Sequence, residues 1–151
     1  MFRIWSTDDG RQLPFEYKSC SAMTPKYGMA MTIDGGDLVL AAGETAPIYI
    51  CCREETAAVE QGTLIPVVKI QADQVWMTEG SGEETVGAAY DIAEDGMSLA
   101  DTSTGAAPFV VDSVDGTVVY GRLIGTAAAA SDDDSGDDDS GSDDSAAGSG
   151  T

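Results

Sequence analysis

Apolar and polar positions alternate along this chain in short runs of period two, and turns rich in glycine separate the runs. Phe15 to Cys20 alternates in this way, and Met29 to Ile33 is apolar up to the turn Asp34-Gly35-Gly36-Asp37. A side-chain period of two is the mark of a strand. Leu38 to Ala41 continues after the turn and makes the pair a hairpin, because Gly35 and Gly36 can take the positive φ that tight primed turns demand. Pro47 to Cys52 and Gly62 to Ile70 read as the third and fourth strands, with Glu54 to Gln61 between them as a loop or one short helical turn. Pro66 has no N–H to give a ladder, so its place is an edge or a bulge.

Gln74 to Glu79 is a fifth strand, closed by Gly80-Ser81-Gly82, and Thr85 to Ile92 follows. Glu94-Asp95-Gly96 then reads as a turn before the short run Met97 to Leu99. Ala107 to Val114 and Thr117 to Ile124 are joined through Asp115-Gly116, a strong hairpin signal between β-branched runs. Strands every eight to twelve residues, with no sustained 3.6-residue period, predict an all-β barrel or sandwich.

Both ends depart from this pattern. Residues 1–14 mix Phe2, Ile4 and Trp5 with the turn Thr7-Asp8-Asp9-Gly10 and read as an N-terminal extended arm. Residues 15–124 form the all-β domain. Residues 125–151 read as an Ala/Gly linker and an Asp/Ser/Gly-rich tail, which from Ser131 on has no apolar side chain larger than alanine and is expected to be disordered.

Charge narrows the function classes. The chain has 27 acidic and 7 basic residues, no histidine, and a net charge of −20. Setting aside the eight Asp between Asp132 and Asp144 leaves 19 acidic against 7 basic residues, so the body itself stands at −12. Such a body repels phosphate backbones, and no basic patch with interleaved aromatics offsets it, so no nucleic-acid partner is expected. The same charge fits a well-solvated surface or adaptation to high salt. No run has the length of a membrane helix, and the start lacks the apolar core of a secretory signal, so no membrane partner and synthesis in the cytoplasm are the expectations.

Candidate chemistry is sparse. Cys20, Cys51 and Cys52 are odd in number, do not make a disulfide framework, and are expected to be reduced. On a strand, adjacent Cys51 and Cys52 face opposite sides, so at most one enters the core. Zinc would require further ligand pairs or histidine, and a Ser or Cys nucleophile would require a base. Glu54-Glu55 and Glu83-Glu84 are carboxylate pairs in loops and read as surface charge. Asp132-Asp133-Asp134-Ser135-Gly136-Asp137 lacks the flanking helices and closing Glu of an EF-hand. No catalytic residue, cofactor or metal is assigned, and the chain is not expected to be an enzyme. Trp76, within a strand, is expected in the core, whereas Phe2, Ile4 and Trp5 are the candidate docking residues of the arm, aromatics being favoured anchors at interfaces.

The order of segments resembles the capsid decoration, or cement, proteins of tailed bacteriophages. The segments that carry the likeness are Tyr17-Lys18-Ser19, Tyr27 to Met31, Asp34 to Val39, Ala46 to Ile50, Leu64 to Val68 and Asp115 to Val119. It covers roughly Tyr17 to Ile124. The resemblance implies a small β-tulip domain that trimerises on the exterior of an expanded icosahedral head and braces it, with the major capsid protein and other copies of itself as partners. Location on the outer surface of the virion follows from the same resemblance. The long acidic tail is a departure from it. A different class also fits the pattern, a β-sandwich adhesin or carbohydrate-binding domain displayed on a larger assembly. Deleting Ser131 to Thr151 is expected to leave the melting temperature of the body almost unchanged, because a segment without large apolar side chains has little surface to bury. Calorimetry of the full and truncated chains checks this, and a loss of several degrees counts against it.

Overall fold

The computed structural model describes residues 1–10, 13–101 and 106–124. They form ten strands, and no helix is present among the described residues. The strands are β1 (Arg3–Thr7), β2 (Glu16–Cys20), β3 (Ala30–Asp34), β4 (Asp37–Leu40), β5 (Tyr49–Cys51), β6 (Thr63–Lys69), β7 (Gln74–Glu79), β8 (Ala89–Tyr90), β9 (Phe109–Asp115) and β10 (Val118–Leu123). Strands β2 to β6 close a barrel in the order β2-β4-β3-β5-β6, while β1-β7-β10-β9-β8 make a five-stranded sheet. The chain therefore starts in the sheet, builds the whole barrel, and returns to finish the sheet.

Local turn chemistry explains the hairpins. Asp34 pairs with Asp37 around Gly35 and Gly36, whose φ of 58° and 94° are what a two-residue type I′ turn needs. Asp115 pairs with Val118 around Gly116 and Thr117, and only the glycine is left-handed, which is the type II′ arrangement. Pro66 lies within β6 opposite Tyr17 of β2. Its carbonyl accepts from Cys52 N, one residue beyond the end of β5, so the donor it lacks falls where the neighbouring ladder has already stopped.

Two apolar clusters share the strands of the barrel. Inside the barrel lie Cys20, Met29, Met31, Leu38, Tyr49, Cys51, Ile65 and Val67. The second cluster joins Ala30, Ala41 and Ile50 from the barrel to Phe2, Trp76, Phe109, Val111, Val119 and Leu123 from the sheet side. Period-two alternation makes the division: on β5, Tyr49 and Cys51 face inward while Ile50 faces the sheet, and all three are buried. In β2 the phase runs against simple hydrophobicity. Phe15 and Tyr17 are 60% and 68% exposed, Cys20 is buried, and Glu16 and Lys18 pair at 3.2 Å.

The segment expected as a free arm is instead strand β1. It runs antiparallel to β7 from Arg3 opposite Met77 to Thr7 opposite Gln74, with an irregularity between Ile4 and Ser6 that leaves Trp5 as the extra residue of a bulge. The physical reason is Phe2, fully buried and tilted against Phe109 with ring centroids 5.9 Å apart, which ties the start of the strand into the core. The expected turn at Thr7-Asp8-Asp9-Gly10 is present, closed by Gly10 N donating to Thr7 O. Thr85 to Ile92, read as one strand, forms a ladder only at Ala89–Tyr90, with Ile92 making single bridges to Gly43 and Leu99. Residues 125–151, expected as linker and tail, lie outside the described residues.

Gly28 is the hinge pin between the two bodies. Its carbonyl accepts from Phe2 N at 3.0 Å and its N–H donates to Cys51 O at 2.8 Å, linking the start of β1 to β5. Its φ is 79°, and a Cβ here would lie 2.6 Å from the Phe2 carbonyl. Gly28→Ala combines left-handed strain with that collision and is expected to destabilise the fold by about 2 kcal/mol or more. Denaturant unfolding checks the loss, and an unchanged midpoint would refute it.

Candidate functional site

Packing β1 against the barrel leaves a groove of about 470 Å³. Strand β1 from Arg3 to Thr7 forms one wall, Phe15, Tyr27, Cys52 and Val68 the other, and the buried side chains of Phe2, Ile50, Cys51 and Trp76 also border it. Its volume falls within the range of roughly 300 to 1,000 Å³ typical of ligand sites. The lining includes no carboxylate and a single charged side chain, Arg3. Strand β1 is the last strand of its sheet on this side, so its outer edge has no strand neighbour among the described residues.

The three candidate docking residues part company here. Phe2 is core and has no exposed surface to offer, which corrects the expectation for that residue. Ile4 and Trp5 are exposed, at 41% and 60%. The bulge turns the Trp5 ring onto the face of the sheet away from the barrel, where it meets that of Tyr120 edge-on at 5.0 Å, beside Val75 and Ser113. Trp76 is buried as expected, and its Nε1 is the one buried side-chain polar atom without a partner among the described residues.

Several surface residues that the reading of the chain had not assigned to docking continue the apolar surface. Phe15 and Tyr17 point to the same side of β2, Tyr17 sits opposite Pro66, and exposed Leu64 lies opposite Ser19 one step further along. The outer wall of β2 and β6 therefore prolongs the groove as an apolar strip. Three cations border it: Arg3 in the groove, Lys26 beside Tyr27 with its Nζ donating to Glu55 O at 3.1 Å, and Arg53 donating to Leu64 O at 3.4 Å. The paired carboxylates are elsewhere engaged or exposed. Glu55 binds Arg53 with 2.5 Å between Nη2 and Oε1, and Glu54 is exposed. Glu84 folds back on its own loop: burial pushes its pKa up, yet hydrogen bonds from Ser81 N, Ser81 Oγ and Gly82 N more than offset this and hold it below the ordinary value. Among the described residues, no group of three or more His, Cys, Asp or Glu is placed to hold a metal.

All three thiols are free, with Cys20 and Cys51 buried and Cys52 half-buried at the groove. Burial, and then the neighbouring Cys51, push the Cys52 thiol up to about 11. The arrangement therefore offers an apolar surface and a poorly nucleophilic thiol. No protein-family model matches this chain, and no curated protein matches it.

Because the thiolate is the reactive form, Cys52 is expected to alkylate slowly at pH 8 and to speed up steeply as pH rises towards 11. Iodoacetamide labelling of a variant with Cys20→Ala and Cys51→Ala isolates the site, and fast labelling at pH 7 would contradict this account.

Proposed function

We propose that this protein is a structural component of a virion, a decoration protein that binds the exterior of an icosahedral phage capsid as a trimer and stabilises the expanded head. One observation carries the reading most: exposed Ile4, Phe15 and Tyr27 border one groove, and exposed Tyr17 and Leu64 continue from it along β2 and β6, on a chain whose net charge is −20. An apolar side rimmed by polar groups suits a protein surface, and a strongly acidic remainder keeps the opposite side in water. The order of strands and glycine turns that resembles decoration proteins supports the same reading. Repeated weak contacts then suffice, since a trimer engages several capsid subunits at high effective concentration. The partners in this reading are the major capsid protein and other copies of the chain, and no catalytic group, cofactor, nucleic acid or membrane takes part.

A displayed adhesin or carbohydrate-binding domain is the second reading, favoured by the half-open Trp5 ring beside Tyr120, since exposed aromatic faces also receive sugars. A glycan array separates the two.

The direct test adds purified protein to expanded, undecorated capsids and follows their resistance to heat or chelation. Resistance is expected to rise, because a ligand that binds only the assembled shell stabilises it by linkage. Trp5→Ala is expected to weaken capsid binding by roughly 2 kcal/mol if the ring is an anchor, with little change in melting temperature, whereas Phe2→Ala is expected to cost about 3–5 kcal/mol of folding stability. Tight one-to-one binding to unassembled capsid subunits, or no effect on the shell, would overturn the proposal.

A further inference from the structure

We infer that the face of the sheet turned away from the barrel carries a carbohydrate site, a hollow spanning β1, β7, β10 and β9 that takes a neutral sugar. The inference deepens the second reading above by naming its site and ligand, and it rests on that reading. It does not depend on the capsid reading, whose groove and apolar strip lie at the barrel.

Strand pairing decides which side chains face this way. Buried Trp76 of β7 packs towards the barrel, so Val75 beside it points to the opposite face, and Ser6, directly across from Val75, shares that face. By the same rule Tyr120 of β10, next to buried Val119, points outward together with Ser113 across from it.

Two bulges then crowd the face. Among the strand pairings of the described residues the register slips in two places, at Ile4–Ser6 of β1 and opposite Tyr120–Gly121 of β10, where Asp112 is the extra residue of β9. A bulge sets two residues against one of the partner strand and re-aims a side chain. Trp5 with Ser6 and Asp112 with Ser113 are the doubled pairs, and all four line one hollow of about 410 Å³ together with Val75 and Tyr120. Both irregularities thus feed the same place, whose volume suits a small ligand.

The lining matches a sugar ring. Trp5 is 60% exposed even with Tyr120 edge-on against it, so indole surface remains for the apolar C–H face of a pyranose. The hydroxyls of such a ring stand around its edge, and each both donates and accepts. Ser6 and Ser113 are exposed, and their hydroxyls make no hydrogen bond among the described residues. Asp112 is held through one oxygen: Arg122 Nε lies 3.4 Å from Oδ2, and the same guanidinium donates to Ala72 O at 2.8 Å and reaches Asp8. The arginine fixes the carboxylate, and Oδ1 stays available as an acceptor.

Charge selects the neutral class. The chain stands at −20 and Asp112 lies in the hollow itself, so a sulfated or sialylated sugar meets repulsion. A quaternary ammonium would also find aromatic surface, but Arg122 offsets the one carboxylate and the two serines would go unused.

The test screens the full chain on an array of glycans ending in glucose, galactose, mannose or N-acetylglucosamine, beside sialylated and sulfated ones. The strongest binder is then titrated in solution while acrylamide quenching of tryptophan is followed. The chain has two tryptophans and Trp76 is buried, so the quenchable signal is that of Trp5. Neutral glycans are expected to bind, to shield Trp5 from the quencher, and to keep their affinity as salt is raised, because no charge pair forms. Trp5→Ala is expected to weaken binding by about tenfold or more, and Asp112→Ala by about tenfold, each with little change in melting temperature. Tyr17→Ala, on the barrel, is expected to have no effect on the sugar. Preference for anionic glycans, or tighter binding of choline than of any neutral sugar, would overturn the inference. If neutral glycans bind while Trp5→Ala and Asp112→Ala keep full affinity, this site is wrong and the carbohydrate reading stands; an array without neutral binders sinks both. A Trp5→Ala variant that loses the capsid and keeps the sugar assigns the ring to the shell and likewise removes the site.

Discussion

The whole architecture turns on the joint at Gly28. One residue, in a backbone conformation that only glycine adopts without strain, takes a hydrogen bond from Phe2, just ahead of β1, and gives one to Cys51 in β5 of the barrel. Beside it Phe2 is driven fully into the apolar layer between the two bodies. With β1 fixed at this end by both interactions and along its length by β7, its outer edge has to stand clear of the barrel wall. The groove between β1 and the barrel follows from that placement.

The layer itself is built by sharing strands between two cores. Strand β5 is the clearest case, with neighbours in sequence delivered to opposite apolar clusters and no side chain left for solvent. A strand buried on both faces reads as a continuous apolar run, and Pro47 to Cys52 reads that way. The adjacent thiols show the same rule at its limit, Cys51 inside the barrel and Cys52 just outside the end of the strand at the groove.

How much was legible in the chain depended on how local each cause is. The hairpins at Gly35-Gly36 and Gly116 were legible because a positive φ is demanded within two residues of the pairing it permits. Strand β1 was not, since its partner β7 lies about seventy residues away and the bulge at Trp5 breaks the alternation that would have marked it. Ile4 and Trp5 were recognisable as exposed apolar residues, but Phe2 looked the same in sequence, and only the close contact with Phe109 separates it from them. The other half of the groove was hidden by phase. The alternation in β2 is real, yet the aromatic residues Phe15 and Tyr17 take the outer side; the apolar residues paired along this stretch, Leu64 and Pro66 beside Tyr17, were the available sign that this outer wall is not an ordinary solvated one.

The route of the chain, sheet then barrel then sheet, also has a bearing on how the molecule is made. Every residue of the barrel, from Glu16 to Lys69, is synthesised before β7 exists, and β7 is what β1 pairs with. On a ribosome adding roughly 5 to 20 residues per second, the first strand therefore waits several seconds for its neighbour. During that interval the barrel can close on contacts of its own, while Phe2 and the edge that follows it stay without their sheet. Long-range pairings of this kind form late because the loop must be closed before any contact rewards it. The strand that ends as the wall of the groove is thus made before the barrel it faces and placed only after β7 has been added.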